Sequence, residues 1–165
     1  MKAVSSPYQA IVSAPGFSLG VAATADEITA LDYLPPQAEL APQNPLAAEA
    51  VRQIRAYLAD PRFVFGLPLR PQGTTFQRRV WNAINDIPCG SVATYGAVAR
   101  KIRSGPRAVG GACGANPYPL VVPCHRVVSA SGIGGFGGVG GDGTSHDDLL
   151  DIKRWLLAHE GRGGL

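Results

Sequence analysis

The sequence predicts an α+β protein in two parts, a small N-terminal sheet with one helix and a C-terminal helical domain. Three observations carry that prediction. Short apolar runs separated by turn residues fill the first third, apolar residues recur at helical spacing from Asn44 onward, and the character of the chain changes at Pro71-Gln72-Gly73. At 165 residues, with 45% hydrophobic and 16% charged side chains, the chain can bury a core and is too apolar to be disordered.

Residues 8–14 and 17–24 read as strands joined at Pro15-Gly16, and residues 28–34 as a third strand ended by Pro35-Pro36. A proline- and glutamine-rich loop follows to Gln43. Asn44 then offers a helix N-cap with Pro45 at the first helical position. Leu46, Ala50, Val51, Ile54, Tyr57 and Leu58 fall on one face before Asp60-Pro61 closes the helix. Residues 63–69 are a short strand or a connector. The boundary is set after residue 72, giving an N-terminal domain of 1–72 and a C-terminal domain of 73–165.

In the second part Thr74 or Thr75 caps a helix carrying Phe76, Val80, Trp81 and Ile84 at helical spacing, ended by Pro88 and Gly90. A second helix starts at Thr94 with Tyr95, Val98, Ala99 and Ile102 inward. Ser104-Gly105-Pro106 is a tight turn, and Pro106 opens a third helix to about Ala115. Two short helices joined by a glycine-containing turn have the layout of a helix-turn-helix, a pattern that many helical hairpins share. Residues 120–122 are extended and apolar. Residues 132–143, with eight glycines, are a loop, and Asp147 or Asp148 caps a last helix bearing Leu149, Ile152, Leu156 and Leu157.

The formal charge of +3 is compatible with nucleic-acid binding without arguing for it. Its distribution says more: Arg78, Arg79, Arg100, Lys101, Arg103, Arg107 and Arg126 fall in the second half with few acids between them, the pattern of a phosphate-binding stripe or of a solvated basic face. Three cysteines without a CxxC pair give neither a cysteine zinc site nor a disulfide framework. The N-terminus has no basic region followed by an apolar run, and no stretch approaches the roughly 20 apolar residues of a membrane span, so a cytoplasmic protein without a membrane partner is expected. The glycine-rich segment lacks the strand–GxGxxG–helix setting of a dinucleotide site and the lysine of a phosphate loop. It reads as a lid over a pocket, and no cofactor or metal is expected.

Cys124 is the candidate nucleophile. A thiol attacks as thiolate, and here it is followed by a possible base, His125, and a fixed positive charge, Arg126. Neighbours in a strand point to opposite faces, so cooperation between 124 and 125 needs a break at Pro123 or a bridging water. A buried cysteine beside a core histidine is the plain alternative. His146 reads as a solvated loop residue and His159 as a cation at a helix C-terminus. Glu160 is an acid where the helix dipole disfavours one, which hints at a role such as orienting His125. Cys89 and Cys113 read as structural.

The runs Phe76-Gln77-x-x-Val80-Trp81, Ile87-Pro88-x-Gly90, Tyr95-Gly96, Arg107-Ala108-Val109-Gly110, Asn116-Pro117, Pro123-Cys124-His125-Arg126-Val127 and Leu156-Leu157-Ala158-His159-Glu160 occur in that order between residues 73 and 161. This pattern resembles the O6-alkylguanine-DNA alkyltransferases, and its Pro-Cys-His-Arg core is specific to them; the N-terminal part is similar only in general style. The resemblance implies a ribonuclease-H-like N-terminal half and a C-terminal domain of winged-helix type that binds DNA and accepts the alkyl group. It implies single-turnover DNA repair in which an alkyl group passes irreversibly from O6-alkylguanine, with O4-alkylthymine a further candidate, to Cys124 after base flipping.

By the same resemblance His125 is the base acting through a water, Glu160 holds its tautomer, and Asn116 braces the turn before the active-site segment. Tyr95 donates to the guanine ring, Arg107 fills the hole in the stack, the carbonyls of Cys124 and Val127 accept from the guanine amino group, Phe136 walls the pocket and the Gly137 N–H reaches O6. Thr94, Tyr95, Arg107, Ala108, Gly110 and Arg126 form the DNA-facing set, on double-stranded DNA and without an obligate protein partner, as a monomer. Binding is expected through the minor groove, independent of sequence and weakened by salt. Phe136 stands where the family often has tyrosine, residues 139–148 look longer and the turn at 104–106 shorter than in compact members, which bears on substrate range. Two rivals are weighed. An alkyltransferase-like damage sensor would lack the acceptor cysteine, and a cysteine hydrolase or redox protein would leave Tyr95, Arg107 and the helix pair unexplained.

Overall fold

The computed structural model of the chain describes residues 6–135 and 143–162. Its N-terminal part is an antiparallel sheet in the order β1 (Ala10–Ala14), β2 (Phe17–Ala23), β3 (Ile28–Leu34). β1 and β2 form a hairpin with Ala14 opposite Phe17. Gly16 turns it at φ +84°, a region where a β-carbon would be strained. β2 is buried along nearly its whole length, as a strand between two others with a helix packed over it must be.

That helix is α1 (Pro45–Ala59). Asn44 caps it by accepting from the Ala47 N–H at 2.8 Å, and Pro45 occupies the first turn, where no N–H is needed. Residues 63–69 pair only through a single bridge, Leu69 to Ile28, so the segment is a connector. The buried Gln53 amide holds it from α1, donating to the Gly66 carbonyl at 3.0 Å and accepting from the Gly66 N–H at 2.9 Å.

The C-terminal part contains α2 (Thr75–Asn85), β4 (Ala93–Thr94), α3 (Tyr95–Lys101), α4 (Pro106–Gly114), a 3-10 turn (Cys124–Arg126), β5 (Val127–Val128) and α5 (His146–His159). Thr74 caps α2 in a reciprocal box with Gln77. Trp81 docks α2 onto α4 by donating to the Ala112 carbonyl at 2.8 Å. The last helix starts earlier than expected. Ser145 caps it, accepting from the Asp148 N–H at 3.1 Å, while Asp148 serves as the third helical residue of the box. His146 is therefore the first helical residue rather than part of a loop. Between α3 and α4 the left-handed position falls on Arg103 (φ +57°), not on Gly105.

β4 and β5 are two residues each, too short for any periodicity to announce them. Their parallel pairing, Ala93 with Val127 and Thr94 with Val128, brings the start of α3 beside the residues that follow Cys124. Core residues from both sides of Gly73 pack into one cluster, from Leu19, Tyr33 and Ile54 through Val80, Val109 and Val127 to Leu156. The two parts are also stitched by Leu31 of β3, whose N–H donates to the Pro117 carbonyl at 3.0 Å. Among the described residues no helix is long and apolar enough to cross a membrane.

Candidate active site

Residues 120–122, expected to be extended, form a turn instead, with Leu120 at φ +78° and the Val122 N–H donating to the Tyr118 carbonyl at 2.8 Å; Pro123 (φ −81°, ψ 63°) follows, and the 3-10 turn starts at once. Successive side chains in such a turn are about 120° apart instead of alternating, so Cys124 and His125 can both point inward. Both do: Cys124 is 2% exposed and His125 0%.

Asn116, in the loop after α4, ties this turn to its surroundings. Its Nδ2 donates to the Val122 carbonyl at 2.9 Å and to Cys124 Sγ at 3.2 Å, while Oδ1 accepts from the Tyr118 N–H at 2.8 Å. Cys113 of α4 lies against the Cys124 thiol and is more than a packing residue. That neighbour and complete burial push the Cys124 thiol well up, opposed by the Asn116 amide and the Lys153 ammonium. At rest the sulfur is therefore a thiol, and a base must take its proton.

His125 Nε2 lies 2.8 Å from Glu160 Oε2. Glu160 also accepts from the Tyr57 hydroxyl at 2.6 Å and from Arg126, Nε to Oε1 at 2.8 Å and Nη2 to Oε2 at 3.1 Å. Burial works against the carboxylate, but the hydrogen bonds from His125, Arg126 and Tyr57 outweigh it and hold Glu160 at about 2. A carboxylate that ionised can only accept, so His125 donates from Nε2 and Nδ1 carries the lone pair. Among the described residues Nδ1 has no hydrogen-bond partner. Burial lowers the His125 pKa and the Glu160 carboxylate raises it, with burial the larger effect, so the ring is neutral and competent as a base.

Arg126, expected to face DNA, turns inward. Its side chain is 13% exposed, two of its nitrogens hold Glu160, and Nη1 donates to the Ile87 carbonyl at 2.7 Å. The reason is electrostatic: a buried carboxylate at a helix C-terminus needs a cation more than a phosphate does at an exposed face.

Tyr95 opens α3, half-buried, and its hydroxyl donates to the Gly135 carbonyl at 3.1 Å; burial pushes its pKa up to about 12. Gly134 has φ +75°, and a β-carbon there would come within 3.0 Å of the Tyr95 ring and of the Ser129 nitrogen. Only glycine lets the backbone approach so closely. The Val127 carbonyl accepts from Lys153 Nζ at 2.7 Å, which leaves its second lone pair. Phe136 and Gly137 lie outside the described residues.

The remaining DNA-facing candidates gather on α3 and α4. Thr94 caps α3, its hydroxyl accepting from the Ala97 N–H at 3.0 Å. Arg107 and Ala108 are exposed on the first turn of α4, with Gly110 half-buried behind them and Arg100 and Arg103 exposed nearby in sequence. Lys101 is paired instead, to Asp86 at 2.9 Å, and Arg78 donates to the Gln72 carbonyl at 3.1 Å.

Three functional neighbours escape the sequence reading: Tyr57, Cys113 and Lys153. Each sits on the apolar face of a helix, and a polar group on a core-facing position is the signal that could have found them. His159, the expected C-terminal cation, stacks on Trp155 at 4.7 Å and hydrogen-bonds the Tyr57 carbonyl at 2.8 Å.

The fold thus sets a buried thiol next to a carboxylate-oriented histidine, beside a pair of helices that carry exposed arginines. The family model for the 6-O-methylguanine DNA methyltransferase DNA-binding domain matches residues 75–162. A methylated-DNA–protein-cysteine methyltransferase of Methanosarcina acetivorans is 44% identical over 115 residues, 68% of this chain and 68% of that protein. One of Mycolicibacterium paratuberculosis is 45% identical over 124 residues, 73% of this chain and 69% of that protein. Among solved structures, the Mycobacterium tuberculosis OGT in complex with DNA has a TM-score of 0.74 at 34% identity, covering 93% of this chain and 92% of its own. The chain belongs to the methylated-DNA–protein-cysteine methyltransferases.

Proposed function

We propose that this protein repairs O6-alkylguanine in double-stranded DNA by moving the alkyl group, once and irreversibly, onto Cys124. One observation carries the assignment of roles: the Cys124 thiol shares a buried turn with a neutral histidine whose Nε2 is committed to Glu160 at 2.8 Å, leaving Nδ1 to take a proton. The thiol proton passes to His125 Nδ1, directly or through one water, and the thiolate attacks the alkyl carbon. The S–C bond forms as the O6–C bond breaks, and the electron pair stays with guanine. Tyr95 gives a hydrogen bond to the departing base, leaving the Gly135 carbonyl to do so. The product is a thioether, which has no ordinary route back to a thiol.

A carbon on O6 is buried in the stack, so the base must be flipped out, at a cost of a few kcal/mol that damage lowers. In this reading α3 and α4 are the helix-turn-helix of a winged-helix unit, Arg107 at the start of α4 takes the place of the extruded base, and Thr94, Ala108 and Gly110 follow the backbone. The N-terminal sheet with α1 is a reduced ribonuclease-H-like unit that supports the pocket from behind. The Cys124 and Val127 carbonyls read the guanine amino group. Asn116 fixes the turn. O4-alkylthymine presents the same alkyl–oxygen bond and is a second candidate substrate.

Intact-protein mass spectrometry after mixing with a duplex carrying one O6-methylguanine tests the reading. A single added methyl group that maps to Cys124, saturates at one per protein and is lost in Cys124→Ala is expected. Cys124→Ala should still bind the duplex. Binding without any mass change in the unaltered protein would replace transfer with damage sensing.

A further inference from the structure

Asn116 grips the Cys124 sulfur from the loop between α4 and the 3-10 turn, and that loop needs an anchor of its own. Leu120 within it sits at φ +78°, a left-handed conformation that a bulky side chain disfavours and that persists only where the surroundings impose it. The loop turns back on itself there, with the Val122 N–H on the Tyr118 carbonyl at 2.8 Å. A relaxation at Leu120 would carry Val122 and Asn116 with it, and both hold the turn that bears the thiol.

Tyr118 is the residue placed to prevent that movement. Its N–H donates to Asn116 Oδ1 at 2.8 Å, while the other end of the same amide donates to the Val122 carbonyl and to Cys124 Sγ. Its side chain leads away from the thiol and into the N-terminal part. Tyr118 is buried, and its hydroxyl accepts from Gln72 Nε2 at 2.7 Å and donates to the carbonyls of Arg70 and, at 3.2 Å, Ile28 of β3. A phenol has one proton to give, so the two carbonyls share it while Gln72 fills a lone pair. Gln72 Nε2 spends its second proton on the Thr29 carbonyl at 2.9 Å. One hydroxyl thus ties β3, the connector at 70–72 and the loop that carries Asn116.

We propose that Tyr118 is a positioning residue for the transfer: its hydroxyl fastens the strained loop to the connector and β3, so that the Asn116 amide stays within hydrogen-bond reach of the acceptor sulfur. The inference rests on the alkyl-transfer reading and adds a residue to it. A tyrosine with a purely structural role would change how firmly the chain folds and nothing else. A positioning tyrosine also changes how the sulfur is held in the fully folded protein, and a small misplacement of a reacting atom costs rate.

The test uses Tyr118→Phe, which keeps the ring and removes only the hydroxyl, at a temperature well below its melting point. Single-turnover methyl transfer is followed across concentrations of an O6-methylguanine duplex and with the free O6-methylguanine base, and the Asn116 side-chain amide is followed by NMR. The maximal rate should fall about tenfold while the half-saturating duplex concentration stays within about twofold of normal. The free base should slow by the same factor as the duplex, since the change lies at the sulfur and not at the DNA face, and the Asn116 amide resonances should move. A folded Tyr118→Phe with an unaltered maximal rate overturns the proposal, whatever its melting temperature. A loss confined to the duplex, or a slowed rate with unmoved Asn116 resonances, overturns it too. Where Tyr118→Phe does not fold, Gln72→Ala removes a partner of the same hydroxyl from the half-buried connector. That variant should move the Asn116 resonances and lower the maximal rate, and no change in either overturns the proposal. If the unaltered protein transfers nothing, the alkyl-transfer reading fails and this inference with it; if it transfers and the folded Tyr118→Phe matches its maximal rate, only this inference fails.

Discussion

The arginines on α3 and α4 and the arginine that follows the Cys-His pair behave in opposite ways. The side chains of Arg100, Arg103 and Arg107 are exposed and make no salt bridge with any described residue. Arg126 is nearly buried and spends its guanidinium on Glu160 and the Ile87 carbonyl. The first group is a set of exposed charges in high dielectric, which salt screens. The second is a fixed charge in a buried network with one carboxylate, the Tyr57 hydroxyl and a histidine. The difference teaches that a run of like charges in sequence divides by burial, one group left to solvent and the other spent on holding a buried carboxylate; in the proposed function the first meets DNA and the second supports the chemistry.

The largest effect should come from breaking the buried side. Glu160→Gln removes the acceptor that sets the His125 tautomer, and an amide can present either an acceptor or a donor to Nε2. Transfer should fall by about a hundredfold or more, the scale of a lost general base, as read by single-turnover mass spectrometry. The same carboxylate predicts an acid limb of stability. Its folded pKa of about 2 lies below the ordinary 4.5, so the folded state holds the ionised form more tightly than the unfolded chain does. That contribution, on the order of 3 kcal/mol, is fully present above pH 4.5 and is lost as pH falls towards 2. Urea unfolding between pH 7 and pH 3 should show this loss in the unaltered protein and not in Glu160→Gln.

The exposed side should break differently. Arg107→Ala leaves Cys124, His125 and Glu160 untouched, so reaction with a free O6-alkylated base should stay within about twofold of normal. Repair of the duplex should slow by about tenfold or more, because extrusion of the base loses the side chain that refills the stack. Equal slowing on both substrates would remove Arg107 from flipping and return it to the solvated face.

Legibility in the sequence follows the same division. α1, α2 and β3 were readable because each carries several periodic residues and a punctuating Asn, Thr or Pro. Cys124, His125, Asn116 and Glu160 were singled out by residue type and by resemblance, and the fold brings them together. β4 and β5 were not readable, since two residues have no period. The fate of Arg126 was not readable either, because burial depends on Glu160, which is remote in sequence. Tyr57 and Lys153 were hidden by their own periodicity: a tyrosine or lysine at an apolar helical position looks like core or snorkelling surface until its partner is known. The cap of α5 was a misreading of a legible signal, for Ser145-x-x-Asp148 is the box pattern itself.

Tyr57 offers the finest test of how far the two parts act together. It belongs to α1, in the part of the chain outside the matched family model, yet its hydroxyl reaches Glu160 at 2.6 Å. Tyr57→Phe keeps the ring contacts with Phe65 and His159 and removes only the donor. A hydrogen bond to a charged group is worth about 1.5–3 kcal/mol, so stability should drop by that order in urea unfolding at pH 7. Transfer should slow only about threefold, because Arg126 still anchors the carboxylate and His125 keeps its partner. A loss as deep as that of Glu160→Gln would make the N-terminal part a participant in the proton transfer rather than a support for it. No change in either quantity would mean that Arg126 alone sets Glu160, and that the contact between α1 and the end of α5 serves packing only.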